Sequence, residues 1–423
     1  MYNKNILSKI IEWVVRRVTK PQVSNRLKQY SAVTNRTGNQ TVSMQKYLAK
    51  TYEFRFNKLT DENEFRRRTD EDFQNTKQQE NLRPFIPLNT RETNSICMEL
   101  HEKGINCWDR DLSRYLNSTF IESYHPFLQY LENLPVWDGE DRVTSLAQRV
   151  STNALWVRCF HTWMLGMVNQ WRGTANQHAN SLAPILISAE QGKQKSTFCK
   201  SLIPPALQHY YIDHVELTSQ GQMDRKLSEL GLINLDEFDK FSPKKMALLK
   251  NVMQMTALHI RMPHQKVFQT VPRLSSFIGT SNRRDLLTDP TGSRRFICIE
   301  VRDTIACTNI DHAQIYAQLM AELNAGKPHW LNSLEERELQ KHNKAYYRES
   351  PMRDVLYACF RPAKQDEECL QLTAAEIFRT LKIKNSAAMV GSNPVAFGQL
   401  LVASGLERKH TKRGNVYRVV KVE

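Results

Sequence analysis

The sequence has no unbroken run of about 18 apolar residues, which excludes a membrane-spanning helix. Its opening stretch, MYNKNILSKIIEWVVRRVTK, lacks the small-residue cleavage site of a secretory leader. An apolar stripe of Ile6, Ile10, Ile11, Val14, Val15 and Val18 does run through it, so a helix lying on a membrane surface is the alternative for that segment. No C-x-x-C pair occurs among the eight cysteines, and none of them clusters with histidines at ligand spacing. That excludes a zinc module and a disulfide framework, and it predicts reduced thiols in a cytoplasmic protein. No internal repeat and no low-complexity tract is present.

Acidic charge is also scarce at the start. Residues 1–58 hold only Glu12 and Glu53 against twelve Lys and Arg, so this segment carries +10 of a net +15. A segment of that kind attracts a polyanion and releases its counterions; a solvated, partly disordered arm is the alternative. The remaining composition, 40% hydrophobic and 24% charged, is that of a soluble globular chain. Its length accommodates two to four domains.

Along the chain, Tyr52, Phe54 and Phe56 alternate with polar residues ahead of a Thr60–Asn63 turn, which predicts a hairpin. Residues 69–82 are polar and predict a loop. From Asn89 to Gln148 the pattern is helical, with Leu100, Ile105, Leu112, Leu116, Phe120 and Phe127 as expected core. LPVWDG at 134–139 punctuates it as a turn. The middle third alternates strand-like runs with helical stretches: APILIS (183–188), LGLINLD (230–236), LSSFIGTS (274–281) and RRFICIEV (294–301). Short buried strands separated by helices predict an α/β fold with a parallel sheet. Residues 310–348 read as a charged helical arm leading outward. Thr373–Glu376 is a capping box, Asn393-Pro394 opens a second helix, and LERKHTKRGNVYRVV folds into a hairpin around Arg413-Gly414-Asn415. Helix, helix and basic hairpin is the order that closes a winged helix-turn-helix. The expected division is a basic arm (1–45), a hairpin and mainly helical region (46–148), an α/β domain (149–345) and a winged-helix-like end (346–423).

Between APILIS and the helical STFCKSLI lies ISAEQGKQKSTF, a phosphate-loop pattern without its usual glycines. Aligned on Lys195 and Ser196, those glycines fall on Ala189 and Gln194, and only Gly192 remains. A strand, a tight turn and Lys-Ser at a helix start bring N–H groups to phosphate. On this reading residues Gly192, Lys193, Gln194, Lys195, Ser196 and Thr197 hold ATP, with Lys195 on the β and γ phosphates and Ser196 on Mg²⁺. The bulk at Gln194 opposes it, because glycine accepts positive φ at little cost; an exposed basic loop is the alternative. Further along, LINLDEFDK ends an apolar strand in Asp236 and Glu237, assigned to the Mg²⁺ shell and to water activation, with Asp239 as a lesser participant. FIGTSN places Asn282 at another strand end, to sense the γ-phosphate or orient water. DPTGSRRF offers Arg294 and Arg295, one of which would act on the transferring phosphoryl group across a subunit boundary.

Those stretches, together with LPVWDGEDRV, resemble the virulence-associated E family of phages, plasmids and integrated elements, in family order and from about Tyr52 to Val301. The resemblance implies a P-loop, AAA+-like ATPase similar to superfamily 3 helicases, assembled as a homo-oligomeric ring, expected to be a hexamer. It also implies ATP-driven work on DNA during replication of the element. The family has glycine where this chain has Gln194. No primase motif is recognisable. In such helicases a basic hairpin enters the ring channel, which nominates Arg261, His264 and Lys266 for single-stranded DNA; a surface connection is the alternative. Arg408, Lys409, Lys412 and Arg413 are the corresponding phosphate clamp of the winged hairpin, for duplex DNA, or a contact to another subunit. Two other functions stay open: a nucleotide-binding, DNA-binding regulatory assembly without useful turnover, and a scaffold with a vestigial ATPase fold.

Overall fold

A computed structural model describes residues 40–68, 84–173, 178–214, 220–261, 267–287, 293–347, 351–364, 367–386, 389, 394–411 and 414–422. Most of the basic arm, the 69–82 loop, His264, Lys266, Asn393, Lys412 and Arg413 lie outside them. The chain divides into two compact units, one ending at His125 and one starting at Pro126.

In the first unit, α1 (Gln40–Thr51) leads into β1 (Tyr52–Asn57), which pairs antiparallel with β2 (Glu62–Arg67), Phe54 opposite Phe65. The predicted hairpin is therefore present, and Asp61 takes the left-handed turn position (φ 59°) that a short polar side chain tolerates. β3 (Ile86–Pro87) extends the sheet beside β2. α2 (Thr90–Glu102) follows, its first turn capped by the Asn89 side chain, which accepts from Glu92 N at 2.9 Å. α3 (Asp109–Leu116) and β4 (Glu122–Tyr124) complete the unit, with β4 parallel to β1. Leu100, Leu112 and Leu116 enter a core with Met44, Leu48, Tyr52, Phe65 and Ile96, and Ile105 packs on its margin. Phe120 does not. It stays 57% exposed in the turn after α3 and stacks on the partly buried Tyr115.

The second unit begins with α4 (Pro126–Glu132), α5 (Arg142–Gln148) and α6 (Ala154–Trp171). α4 and α5, grouped by sequence with the N-terminal region, belong here because Phe127 packs on Trp171 and Tyr210. α6 is apolar on nearly every face, as befits a helix between layers: it touches the sheet on one side and flanking helices on the other. That sheet is built from β5 (Ala183–Ile187), β6 (Tyr211–Ile212), β7 (Leu232–Leu235), β10 (Ser276–Ser281) and β11 (Phe296–Glu300). Its order is β11-β5-β10-β7-β6 and every pairing is parallel. All four predicted runs contain strands, buried throughout except for Glu300 at the end of β11, because helices cover both faces. The crossovers are α7 (Lys195–Ser201), α8 (Gln220–Glu229) and α9 (Pro243–Val252), and a separate hairpin of β8 (Ala257–Ile260) and β9 (Gln269–Pro272) stands between α9 and β10.

Two backbone-to-side-chain features lock these layers. Gly231 sits where a Cβ would meet Phe127 Cζ at 2.5 Å and Trp171 Nε1 at 2.9 Å, and the Trp171 indole donates to Gly231 O at 3.1 Å. Arg273 is completely buried, and among the described residues it has no carboxylate partner. Its guanidinium donates to the carbonyls of Met255 (2.7 Å), Met253 (3.1 Å), Asn180 (3.1 Å) and Ser275, tying the hairpin base to the sheet. Burial pushes it down to about 9.

The outward arm expected over 310–348 is not what residues 310–347 form. α10 (His312–Asn324) buries Ile315, Tyr316 and Leu319 and packs against α5 and α6, while α11 (Ser333–Asn343) lies on β11. The charge that misled the sequence reading is concentrated in α11, which buries only Leu339 and Asn343, whereas the one acid of α10, Glu322, turns inward to His161. The LPVWDGED turn clasps α10: Gln314 accepts from Asp138 N (3.1 Å), and the Gln318 Oε1 accepts from Arg142 N (2.9 Å) and Val143 N (3.2 Å).

After α12 (Pro351–Cys359) come β12 (Phe360–Pro362), β13 (Leu370–Thr373), α13 (Ala374–Lys384), α14 (Pro394–Ala403), β14 (Arg408–Thr411) and β15 (Gly414–Lys421). The capping box at Thr373 and Glu376 is formed in both directions, and the helix runs three residues past Leu381. β15 pairs antiparallel with β12, β13 and β14 over a core of Leu356, Ile377, Leu401 and Val419.

Candidate functional site

The loop at residues 188–194 leaves the C-terminal end of β5 and turns sharply into α7. Gly192 has φ 82° and Gln194 has φ 64°, so the position that glycine usually fills keeps the left-handed backbone with a full side chain on it. Such a conformation disfavours non-glycine residues by roughly 1–2 kcal/mol. Among the described non-glycine residues, positive φ occurs only at Asp61, Gln194, Glu237 and Asn309. Two of these flank the candidate site, on the loops that follow β5 and β7.

Lys195 is the centre of the arrangement. Its ammonium donates to Ser188 O at 3.0 Å and to Asn282 Oδ1 at 3.1 Å. Partial burial pushes its pKa down, and the carboxylates of Asp236 and Asp239 oppose that shift. The three strands involved are adjacent, since β10 lies between β5 and β7. Three successive residues at the end of β10 each reach a different neighbour. Thr280 Oγ1 donates to Asp236 Oδ1; Ser281 Oγ donates to Asp239 Oδ1 at 3.0 Å; Asn282 reaches Lys195. Asn282 N also donates to Asp239 at 3.4 Å. Lys195, Asp236 and Asn282 are thus brought together, and Asp239 joins them more closely than its sequence position suggested.

Other nominated residues are placed differently. Ser196 and Thr197 are exposed at the start of α7. Lys193 is turned aside: its ammonium meets Arg302 O at 2.8 Å and Glu190 at 2.8 Å, which makes it a fastener of the loop. Glu237 pairs with Lys240 at 2.5 Å on the turn it opens. Arg294 and Arg295 precede β11, whose first residue, Phe296, pairs with Ala183, while Glu300 pairs with Ile187. They therefore stand at the opposite end of the sheet from the loop, about 16 Å away at 3.3 Å per residue. Arg294 is held by Glu336 at 3.0 Å. Within one chain these arginines do not share the site of Lys195.

Arg261 follows β8, and Val267 and Phe268, just ahead of β9, are 70% and 67% exposed. Arg408 and Lys409 lie on exposed β14, with Lys409 3.9 Å from Glu407. Among the described residues no three His, Cys, Asp or Glu are grouped to hold a metal, and no helix is long and apolar enough to cross a membrane. Sequence reading missed Ser188, Thr280 and Ser281, although the polar triplet closing the apolar FIGTSN run was a visible signal.

Residues 131–348 match the virulence-associated protein E-like domain. Residues 349–419 match a domain of unknown function described from a B. Theta gene. No curated protein matches the sequence. Among solved structures, the chain is similar to the apo C-terminal region of NrS-1, at 12% identity and a TM-score of 0.41, covering 92% of this chain and all of that one. The A form of that apo region gives 13% identity, the same TM-score and the same coverage.

Proposed function

This chain belongs to the virulence-associated protein E-like family, and from that premise we propose that it is an ATP-driven motor acting on DNA in the replication of a phage or other mobile element. One observation carries the reading: a lysine ammonium held at the C-terminal edge of a parallel sheet, bonded to Asn282 and flanked by Asp236 and Asp239. Ligands of α/β sheets bind at that edge. The ammonium exchanges its bonds to Ser188 O and Asn282 for oxygens of the β and γ phosphates of ATP. Asn282, released, faces the terminal phosphate.

Magnesium in such sites takes one hydroxyl and one carboxylate from the protein, the remainder coming from phosphate and water. Ser196, exposed at the helix start, and Asp236, with one oxygen committed to Thr280, fit that donor set; the ion would neutralise charge on the phosphates. Glu237 polarises the attacking water once it leaves Lys240. Arg294 and Arg295, at the far end of their own sheet, act on a neighbouring subunit's nucleotide, which requires a superfamily 3-like, AAA+ ring, proposed as a hexamer. The β8–β9 hairpin with Arg261 contacts single-stranded DNA in the channel. The C-terminal stretch from α12 to β15 acts as a winged helix, with Arg408 and Lys409 toward duplex phosphates.

The pairing of Glu237 with Lys240 and the strained Gln194 favour a second reading, a nucleotide-responsive DNA-binding assembly with little turnover. Phosphate release with and without single-stranded DNA, alongside native mass, separates the two. The motor predicts DNA-stimulated release that Lys195→Ala abolishes. Binding of MgATP by wild type without release supports the second reading, and absence of both removes the nucleotide site altogether.

A further inference from the structure

The connector from β11 to α10, residues 301–311, runs alongside the phosphate loop. Val301 N donates to Ile187 O (2.7 Å) and Ile305 N to Lys193 O (3.2 Å). Arg302 O receives the Lys193 ammonium at 2.8 Å, and the Cys307 thiol lies 3.9 Å from Gln194 O. Lys193 and Gln194, the last two residues of the loop before Lys195, are therefore both held from this side.

The connector has its own anchor. Arg149, just past α5, donates to Ala306 O (3.0 Å), Thr308 O (2.7 Å) and Asn309 O (3.0 Å). A planar fork with five N–H donors can gather three carbonyls in this way; an ammonium on a flexible stem cannot hold the same geometry. Asn309 is left-handed (φ 53°), which turns its carbonyl out of a regular path. α10 then closes the circuit beneath the loop: His312 Nε2 bonds Ser201 O at 2.7 Å and Tyr316 donates to Leu202 O at 2.8 Å, both at the end of α7. A strained backbone position persists only where its surroundings over-determine it.

We propose that Arg149 is a positioning residue for the phosphate loop: it fixes the 302–309 connector, and the connector holds Lys193 and Gln194 in the bend that glutamine does not favour by itself. This gives the stretch after LPVWDGED a task beyond forming a turn. It rests on the nucleotide-site reading for its purpose, though not for its geometry.

The test compares Arg149→Met in two backgrounds, wild type and Gln194→Gly, in the full nucleotide-free chain. Hydrogen exchange is followed at the Ile305 amide, which donates to Lys193 O, and at the Phe198 amide, which donates to Gln194 O at 2.9 Å. With glutamine at 194, Arg149→Met is expected to raise exchange at both by about tenfold, the factor equivalent to ~1.4 kcal/mol. With glycine at 194 the bend needs no brace, and the factor should fall to about threefold or less. An equal factor in both backgrounds, or none in either, overturns the proposal. Arg149→Lys keeps the charge without the fork and should reproduce the loosening, which preserves the test if Arg149→Met misfolds. MgADP calorimetry on the same proteins should show weaker binding by a similar factor. Wild type that binds no MgADP would remove the nucleotide reading and leave the exchange result to judge the brace.

Discussion

Replacing Arg273 by methionine removes the shared donor of four carbonyls, three buried and that of Met255 partly buried, while keeping most of the side-chain volume. Each carbonyl left short of a donor costs about 1–3 kcal/mol. Taking the low end for each, because a carbonyl retains a second lone pair, gives a loss of about 4 kcal/mol. The substitution also withdraws a buried charge that has no ionic partner among the described residues, and that relief offsets part of the loss. The expected net is about 3 kcal/mol, a large share of the 5–15 kcal/mol that a domain of this size holds. Arg273→Lys should lose nearly as much, since three donors on one nitrogen do not span Met253, Met255, Ser275 and Asn180. Urea unfolding followed by tryptophan fluorescence reports on it, as Trp156, Trp163 and Trp171 are buried in the same unit. A midpoint for either variant within about 0.5 kcal/mol of wild type would refute the idea that these bonds hold the hairpin base to the sheet.

Gly231→Ala drives a Cβ into Phe127 and Trp171, rings that are both fully buried, and should cost about 3 kcal/mol by the same assay, with partial recovery when Phe127→Leu is added; an unchanged midpoint would mean the β7 layer yields more easily than its contacts imply. His125 is pushed down to about 4 by burial and by Lys58. The unfolded chain therefore takes up a proton below about pH 6.5 that the folded chain refuses until about pH 4, and stability falls across that window as pH drops. The loss at pH 5 should be about 1–2 kcal/mol, and His125→Gln should flatten it; equal slopes for both proteins would rule this histidine out as the cause.

The elements that sequence made legible are those whose signal is local. Four apolar runs became four parallel strands because burial on both faces leaves a continuous hydrophobic word. The Thr373 capping box needs only three residues of spacing to declare itself. Asp236 and Asn282 were legible because each follows such a run directly, and Lys195 because Lys-Ser opens the helix after one. What escaped depends on partners far along the chain. Nothing in TVPRLSS marks Arg273 as buried, since its partners are backbone carbonyls with no side-chain signature. Arg149 and residues 306–309 are separated by about 160 positions and share no pattern. α10 was misjudged because the charges of α11 (Glu335, Glu336, Arg337, Glu338 and Lys341) set the tone of the whole stretch, although α10 itself buries Ile315, Tyr316 and Leu319. Asp239 was undervalued because it lies beyond the strand, on a turn whose direction only the fold decides.

The side-by-side placement of β10 between β5 and β7 has a mechanical corollary. Thr280, Ser281 and Asn282 act as successive teeth on one rack, each engaging a different wheel. A slip of β10 by a single residue would disengage the lysine and both acids at once, so whatever shifts this strand along its axis would switch all three contacts together.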